Sequence, residues 1–234
     1  MASKARILAL VTSADRYLKT GQRTGLWLGE LTHVYDVLTK AGHRVDIVSV
    51  SGGTVPLDPM SLMPPVLKLG ATDKRYEDPR FMALLDDTDA IDDVDPDDYD
   101  AIFLAGGHGA MFDFVDFGVA ELVAAFADEG KVVAAVCHGP AGLLDVQLAH
   151  GTTLLAGRKV TGFSWVEEKA AARAKAVPFN LQKQLKAEAG RYVKARLPMA
   201  KKVVVDGNLI TGQNPTSATG VGEAMVKALK RRTR

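Results

Sequence analysis

The chain has 234 residues, which is enough for one α/β domain of ordinary size. Apolar residues make up 47% of the sequence and charged residues 24%, and these globular averages exclude a disordered, collagen-like or coiled-coil protein. The formal net charge is only +1, so we expect no nucleic-acid partner, because there is no excess of basic side chains to bind phosphates.

Cysteine content and hydropathy indicate the compartment. The sequence has one cysteine, Cys137, which excludes an internal disulfide and a thiolate-rich zinc site and suits a reducing cytosol. The first apolar run, residues 7–11, is shorter than the core of a signal peptide, and no stretch reaches the roughly 20 apolar residues of a membrane span. We therefore expect a cytoplasmic protein that does not bind a membrane.

Predicted strands and helices alternate through the first part of the chain. Short apolar runs bounded by polar residues predict buried strands, and apolar residues three and four apart predict amphipathic helices that end at Gly42 and Gly130. Strands are predicted at 6–12, 45–50, 101–104 and 131–136, and helices at 24–41, 79–85, about 119–130 and about 140–149.

A cap-like insertion is predicted at about 51–98. Residues 51–71 contain proline and glycine and show no clear period, which is typical of a lid or cap. Nine of the fifteen residues from 86 to 100 are aspartate, and clustered carboxylates favour hard cations. The run has no glycine at the turn of a calcium loop and no terminal glutamate, so we expect a solvated acidic loop instead.

The last part of the chain has shorter predicted elements. Strands are predicted at 152–155, 159–161, 203–205 and 209–211, and helices from 165, from 181 and at about 219–230. The basic residues 230–234 are expected to form a solvated tail. The alternation predicts one α/β domain over 1–234, with a doubly wound, mainly parallel sheet, helices on both faces and ligands at the carboxyl ends of the strands.

Cys137 lies where a buried strand turns into a helix that starts near Pro140. This is the setting of a nucleophile elbow, in which the helix N-terminus would favour thiolate over thiol. The adjacent His138 could serve as the base that activates the thiol. An inert buried cysteine and a histidine packed against a helix start are the alternatives.

The glycine loop after the strand at 101–104 could contribute backbone groups to a site. Gly106 and Gly107 allow close approach to a ligand, and N–H groups here and at His138 could point at a developing oxyanion. His108 could line the same pocket and bind the substrate there. A diglycine after a strand is usually only a turn, but this one lies beside the predicted elbow on a neighbouring strand.

Two carboxyl groups are candidates for orienting or assisting His138. Ser164 and Glu167 have the spacing of a capping box, which gives Glu167 a structural role and leaves Glu168 available. Glu30 lies close to the apolar stripe of the first helix, where a carboxyl is costly unless it is paired or neutral. A solvent-facing Glu168 and a surface-edge Glu30 are the alternatives.

Four motifs resemble, in order, those of the ThiJ/PfpI superfamily. They are Arg23-Thr24-Gly25 followed by Glu30, the Gly-Gly-His-Gly motif in 103–109, the Cys-His-Gly-Pro motif in 134–140, and Thr161-Gly162-Phe163 followed by Glu168. The long segment after the second strand and residues 211–217 resemble the glutathione-independent glyoxalase III branch, whose members are also described as heat-shock chaperones. The resemblance covers nearly the whole chain and implies a flavodoxin-like, class I glutamine amidotransferase-like fold.

The resemblance also implies roles for the candidate residues. Cys137 would be the nucleophile, His138 the base, Glu168 the acid that orients it, and Glu30 the carboxyl near the sulfur. Some relatives carry a metal site of two histidines and a carboxylate, but we find no convincing match in this sequence and expect no metal and no cofactor. Relatives often form homodimers, so we expect a homodimer here.

The activity implied by the resemblance is conversion of methylglyoxal, or a similar small 2-oxoaldehyde, to the 2-hydroxy acid (lactate) without glutathione. This is a lyase reaction, that of a glutathione-independent lactate dehydratase, through a hemithioacetal on Cys137. One alternative is a stress-related holding chaperone that binds unfolded clients through the proline-rich segment 55–69. Another is a deglycase or other cysteine-dependent hydrolase of the superfamily. A glutamine amidotransferase is disfavoured, because neither histidine after Cys137 begins a His-x-Glu motif.

Overall fold

The strands lie at or near most of the predicted apolar runs. The computed structural model of the chain describes residues 4–232. The strands are β1 (Arg6–Val11), β2 (Arg44–Ser49), β3 (Ser51–Gly53), β4 (Thr88–Ala90), β5 (Ala101–Leu104), β6 (Val132–Val136), β7 (Lys159–Val160), β8 (Arg191–Tyr192), β9 (Val203–Asp206) and β10 (Leu209–Gly212). The helices are α1 (Leu28–Lys40), α2 (Pro64–Leu67), α3 (Thr72–Tyr76), α4 (Pro79–Met82), α5 (Ala110–Asp113), α6 (Phe117–Asp128), α7 (Trp165–Ala170), α8 (Leu181–Glu188) and α9 (Ala218–Arg232). The predicted basic tail therefore begins inside α9, and residues 233–234 lie outside the described residues.

Eight strands form one sheet in the order β3-β4-β2-β1-β5-β6-β10-β9. The strands from β4 to β10 in this order are parallel, whereas β3 and β9 pair antiparallel at the two edges. In register, Leu8 lies beside Ile102, and Ile102 beside Val133. The strand order changes direction between β1 and β5, which places a crevice at their carboxyl ends. The predicted doubly wound, mainly parallel sheet is confirmed.

Buried side chains cover both faces of this sheet. On one face Ile102 packs in a cluster with Phe126 of α6. On the other face the next residue, Phe103, packs in a cluster with Leu31 of α1 and Met225 of α9. Successive strand residues point to opposite faces, so one continuous apolar run supplies both cores. Helices on both faces are thus confirmed.

The insertion at 51–98 is more regular than expected. β3 and β4 extend the sheet at one edge, with Ser51 paired to Ala90 and Gly53 to Thr88. Strands of three residues carry too little periodicity to be predicted. Helices α2, α3 and α4 lie between these two strands in the chain, and His33 of α1 contacts Thr72 of α3 through Nε2 and Oγ1, 3.0 Å apart. All nine aspartates between 86 and 100 are exposed, which confirms the solvated acidic run.

The proline-rich segment 55–69 is only partly available as a binding surface. Val55 is buried, and Leu57, Leu62 and Leu67 pack against the core. The large apolar side chains that it exposes are Met60, Met63 and Leu69. A chaperone role for this segment stays a prediction.

Two predicted elements are wrong. The helix predicted at 140–149 is a 3₁₀ turn, Gly139–Leu143, because its two glycines and proline disfavour an α-helix and both glycines pack tightly against Leu104. The strand predicted at 152–155 is reduced to an isolated bridge between Thr153 and Gln147. Separately, the structure contains no helix, within residues 4–232, that is long and apolar enough to cross a membrane.

Candidate active site

Cys137 lies in a strained turn directly after the central strand β6. Its φ is 60°, in the left-handed region that non-glycine residues rarely adopt. The turn is held on both sides, because Cys137 N–H donates to Gly212 O at 2.9 Å and Phe163 N–H donates to Cys137 O at 2.8 Å. This strand, turn and short helical segment are the geometry of a nucleophile elbow.

Two adjacent side chains of the elbow meet a third from α7. The Sγ atom of Cys137 lies 3.3 Å from His138 Nδ1, and His138 Nε2 lies 2.9 Å from Glu168 Oε2 in the first turn of α7. All three residues are buried. The structure therefore brings together Cys137, His138 and Glu168, and the solvent-facing alternative for Glu168 is wrong.

This geometry determines the protonation states of Glu168 and His138. Burial opposes ionisation of Glu168, but electrostatic attraction to the imidazoles of His138 and His108 and the hydrogen bonds from them outweigh it and hold the pKa of Glu168 well below its ordinary value. An ionised carboxylate can only accept hydrogen bonds, so Nε2 of His138 carries a proton. Burial, followed by the nearby His108, lowers the pKa of His138. The ring is neutral, with the lone pair of Nδ1 facing the sulfur.

The expectation of a resting thiolate is not met. Burial, followed by the neighbouring Glu30, raises the pKa of the Cys137 thiol well above its ordinary value. The helix dipole that was expected to favour the thiolate is small, because Gly139–Leu143 is a single 3₁₀ turn. Cys137 is therefore a thiol in the resting protein, and it requires a base as it reacts.

Glu30 is fully buried in the first turn of α1, so the surface-edge alternative is wrong. Its carboxyl lies against the Cα of Gly106, where a Cβ atom would collide with Oε2 and with the backbone oxygen of Val136. Burial raises the pKa of Glu30 well above its ordinary value, and contacts with Cys137 and the Gly106 backbone offset this only in part. A neutral carboxyl group therefore lies beside the thiol.

Glu167 is occupied by structural contacts. It forms the predicted capping box with Ser164, and its oxygens also accept hydrogen bonds from Met199 N–H at 2.8 Å and from the side-chain amides of Gln213 and Asn214 at 2.9 Å. Burial opposes ionisation, but these hydrogen bonds outweigh it and lower the pKa of Glu167. Glu168, rather than Glu167, is the carboxylate that contacts His138.

The glycine loop lies beside the elbow. Gly107 has a φ of 120°, and it packs against the backbone of Gly25 and Trp27 so closely that no side chain would fit. The N–H groups of Gly107 and His138 have no hydrogen-bond acceptor within residues 4–232. These groups are free to bind an oxyanion, and this role for Gly106 and Gly107 stays a prediction.

A cavity of about 260 Å³ opens onto the sulfur. Cys137, His138 and His108 line its reactive side. Its other walls are largely apolar and include Trp27, Met60, Phe163, Met199 and Pro215. The volume suits a small ligand of a few non-hydrogen atoms better than a peptide-sized one.

His108, His138 and Glu168 place a ligand atom each within 4.8 Å of one another. The structure thus contains a set of two histidines and a carboxylate that the sequence analysis did not find. Each carboxylate oxygen accepts one imidazole N–H, at 2.8 Å from His108 and 2.9 Å from His138, and a bound cation would have to displace both hydrogen bonds. The expected absence of a metal stays a prediction.

Several residues of the site belong to no motif that predicts a function. Asp58, from the insertion, is buried 4.0 Å from His108, measured from Oδ2 to Nδ1, and Trp27, Met60 and Met199 line the cavity. The Leu-Asp-Pro sequence around Asp58 predicts only a turn, and the other three residues belong to no local motif. The tertiary fold, rather than any spacing, brings them to the site.

Comparison with known proteins agrees with the motifs. The model of the DJ-1/PfpI family matches residues 25–228. Glyoxalase 3 of Candida albicans is 31% identical over 96% of this chain and 98% of its own length, and a glutathione-independent glyoxalase of Saccharomyces cerevisiae is 32% identical over 98% and 100%. The X-ray structure of the Rapid Encystment Protein of Francisella tularensis has a TM-score of 0.90 and 34% identity, covering 96% of this chain and 99% of that one. Elbow, glycine loop and matched sequence lead to one conclusion: the chain belongs to the DJ-1/PfpI family.

Proposed function

We propose that the protein is a glutathione-independent glyoxalase that converts methylglyoxal, or a similar small 2-oxoaldehyde, to the 2-hydroxy acid. The observation that carries this proposal is the 3.3 Å contact of the buried thiol with a neutral imidazole that faces a cavity of about 260 Å³. The two curated relatives named above are glyoxalases by name, one of them glutathione-independent, and each matches nearly the whole chain. A cavity of this size supports a small aldehyde as the substrate, because the glutathione adduct is a tripeptide derivative.

The first step is addition of Cys137 to the aldehyde. As the sulfur attacks the aldehyde carbon, Nδ1 of His138 accepts the thiol proton, and Glu168 stabilises the imidazolium through Nε2. The aldehyde oxygen becomes an oxyanion that the N–H groups of Gly107 and His138 stabilise until the imidazolium of His138 returns its proton to that oxygen, which leaves His138 neutral again. The product of this step is a hemithioacetal.

The second step moves hydrogen from the first carbon to its neighbour. His138 removes the proton from the hemithioacetal carbon to give an enediolate, and a proton returns to the adjacent carbon from His138 or from the neutral carboxyl of Glu30. The hydroxyl proton on the first carbon's oxygen passes to the oxygen of the second carbon. The first carbon is then a thioester and the second carries the hydroxyl group. Water hydrolyses the thioester, releasing the 2-hydroxy acid and restoring the thiol.

Turnover of methylglyoxal in the absence of any thiol cofactor tests the proposal. The wild-type protein should produce lactate, and Cys137→Ala should reduce the rate to background, because no other cysteine is present. Full turnover by Cys137→Ala would contradict the mechanism. Turnover that requires added glutathione would contradict the assigned activity.

We also propose a single domain that acts as a homodimer in the cytoplasm. The support for one domain is the continuous eight-stranded sheet with core clusters on both faces. A lone buried cysteine suits a reducing compartment. Light scattering of the purified protein tests the dimer, and a mass equal to one chain would contradict it.

A further inference from the structure

His108 makes a contact that the mechanism above does not use. Its Nε2 lies 2.8 Å from Glu168 Oε1, the carboxylate oxygen that does not contact His138. Its Nδ1 lies 4.0 Å from Oδ2 of Asp58, which accepts the hydroxyl of Thr24 at 2.9 Å. The ring is buried between two carboxylates, and its centroid is 4.2 Å from that of His138.

These contacts fix the rotation of the Glu168 carboxylate. An ionised carboxylate is only an acceptor, so Nε2 of His108 and Nε2 of His138 both donate to it, one to each oxygen. Without the His108 donor, Oε1 would be a buried, charged oxygen with no hydrogen bond from His108. The carboxylate could then rotate to accept a hydrogen bond from a different donor. Such a rotation would release the Nε2 proton of His138.

Rotation of the Glu168 carboxylate would affect Cys137 by changing the tautomer of His138. A neutral imidazole carries one proton, and only the form protonated on Nε2 presents a lone pair to Cys137. The form protonated on Nδ1 would point an N–H at the sulfur and could not accept the thiol proton. Loss of the contact between His108 and Glu168 therefore weakens the base without touching the nucleophile.

We infer that His108 is a positioning residue, which holds Glu168 through Oε1 so that His138 keeps its proton on Nε2 and its lone pair toward Cys137. This differs from the expectation that His108 binds the substrate, although its ring does line the cavity. The inference rests on the proposed function for its kinetic readout, but its chemical readout, the reactivity of Cys137, is independent of any substrate.

Two substitutions separate positioning from substrate binding. His108→Leu removes the donor, and His108→Gln retains an N–H donor near the position of Nε2. For His108→Leu we expect kcat for methylglyoxal to fall about 10- to 100-fold with KM nearly unchanged, the range for a buried charged acceptor that loses one partner. His108→Gln should recover most of kcat. An increase of KM at constant kcat would instead show substrate binding, and would overturn the inference.

Alkylation of Cys137 by iodoacetamide gives the second readout. His108→Leu should slow alkylation about tenfold at neutral pH, because the thiol loses its base, and His108→Gln should restore the rate. A merely structural effect would loosen the site and accelerate alkylation of this buried thiol, which would overturn the inference. His43→Leu is the matched control: it removes another buried histidine, whose Nδ1 accepts Ala5 N–H at 3.2 Å, and should lower stability without slowing alkylation.

The two proposals can fail separately. If the wild-type protein does not convert methylglyoxal, the proposed function fails, while alkylation still tests the positioning role. If the wild type is active and His108→Leu, shown to be folded by circular dichroism, matches it in kcat and in alkylation rate, the positioning role fails alone.

Discussion

At the scale of single residues, the candidate site is a set of mostly neutral groups around one anion. Cys137 is a thiol, His138 a neutral base and Glu30 a protonated acid, because burial opposes charge on each of them. Glu168 is the ionised exception, since two imidazole N–H groups stabilise its carboxylate. Deprotonation of the thiol is therefore coupled to its attack on the substrate, rather than completed beforehand.

Glu30→Gln tests this arrangement. The variant keeps the shape of the side chain and replaces a neutral carboxyl group with a neutral amide that cannot transfer a proton. Because no charge is removed, we expect the pKa of the thiol, measured by the ultraviolet absorbance of the thiolate against pH, to change little, while turnover drops at least about tenfold. Glu121→Gln, an exposed position on α6, should change neither quantity. Full turnover in Glu30→Gln would contradict the proton-transfer role, and a clear fall in the pKa of the thiol would contradict a neutral Glu30.

At the scale of elements, Asp113 joins α5 to the loop that leaves β1. Its Oδ2 accepts hydrogen bonds from the Thr12 hydroxyl at 2.8 Å and from the N–H groups of Ser13 and Ala14 at 2.7 and 3.1 Å. Burial raises the pKa of Asp113 to about 6, and these hydrogen bonds offset the rise only in part. The folded state therefore binds a proton more tightly than the unfolded chain does.

The pH dependence of unfolding follows from this shift. A raised pKa stabilises the folded state fully below the unfolded value of 3.8, and the contribution is lost as the pH rises through about 6. From pH 5 to pH 7.5 the free energy of unfolding contributed by Asp113 should fall by about 1.4 kcal/mol. In Asp113→Asn this part of the slope should be absent from urea unfolding curves measured at each pH. An identical slope in the variant would show that Asp113 does not titrate in this range.

At the scale of the whole molecule, stability depends on the two clusters that flank the sheet. Met225 of α9 is fully buried against α1 and the sheet, in the cluster opposite that of α6. Met225→Ala should lower the free energy of unfolding by about 2–5 kcal/mol and leave KM for methylglyoxal unchanged, because the cavity lining is elsewhere. Lys227→Ala, two residues away and exposed, is the control and should change stability by less than about 0.5 kcal/mol.

The sequence predicts the central architecture because the central strands β1, β5 and β6 are buried on both faces and therefore appear as continuous apolar runs. It fails where tertiary contacts decide the conformation. The 3₁₀ turn after Cys137 is shaped by contacts of Gly139 and Gly142 with Leu104, a residue on another strand. The edge strands β3 and β4 are too short to show a period.

The sequence predicts some features of the candidate site and not others, for the same reason. Cys137, His138 and Glu168 come from motifs in which local spacing has a chemical meaning, and the capping box correctly separates Glu167 from Glu168. The resting thiol could not be predicted from an elbow motif, because its raised pKa comes from burial and from carboxyl groups of other elements. Asp58 reaches His108 from the insertion, about 50 residues earlier in the chain, and no local pattern encodes that contact.

The left-handed φ of 60° at Cys137 lowers the stability of the folded protein, and the melting temperature should show this. Any L-residue with a β-carbon is disfavoured there by roughly 1–2 kcal/mol, whereas glycine is not. Cys137→Gly and Cys137→Ala both lack the nucleophile, but they should differ in melting temperature. Calorimetry should give the higher melting temperature for Cys137→Gly, although its unfolded chain is more flexible. If so, evolution has kept this protein less heat-resistant than its fold permits, because the position that glycine would relax is the one where a sulfur atom is required.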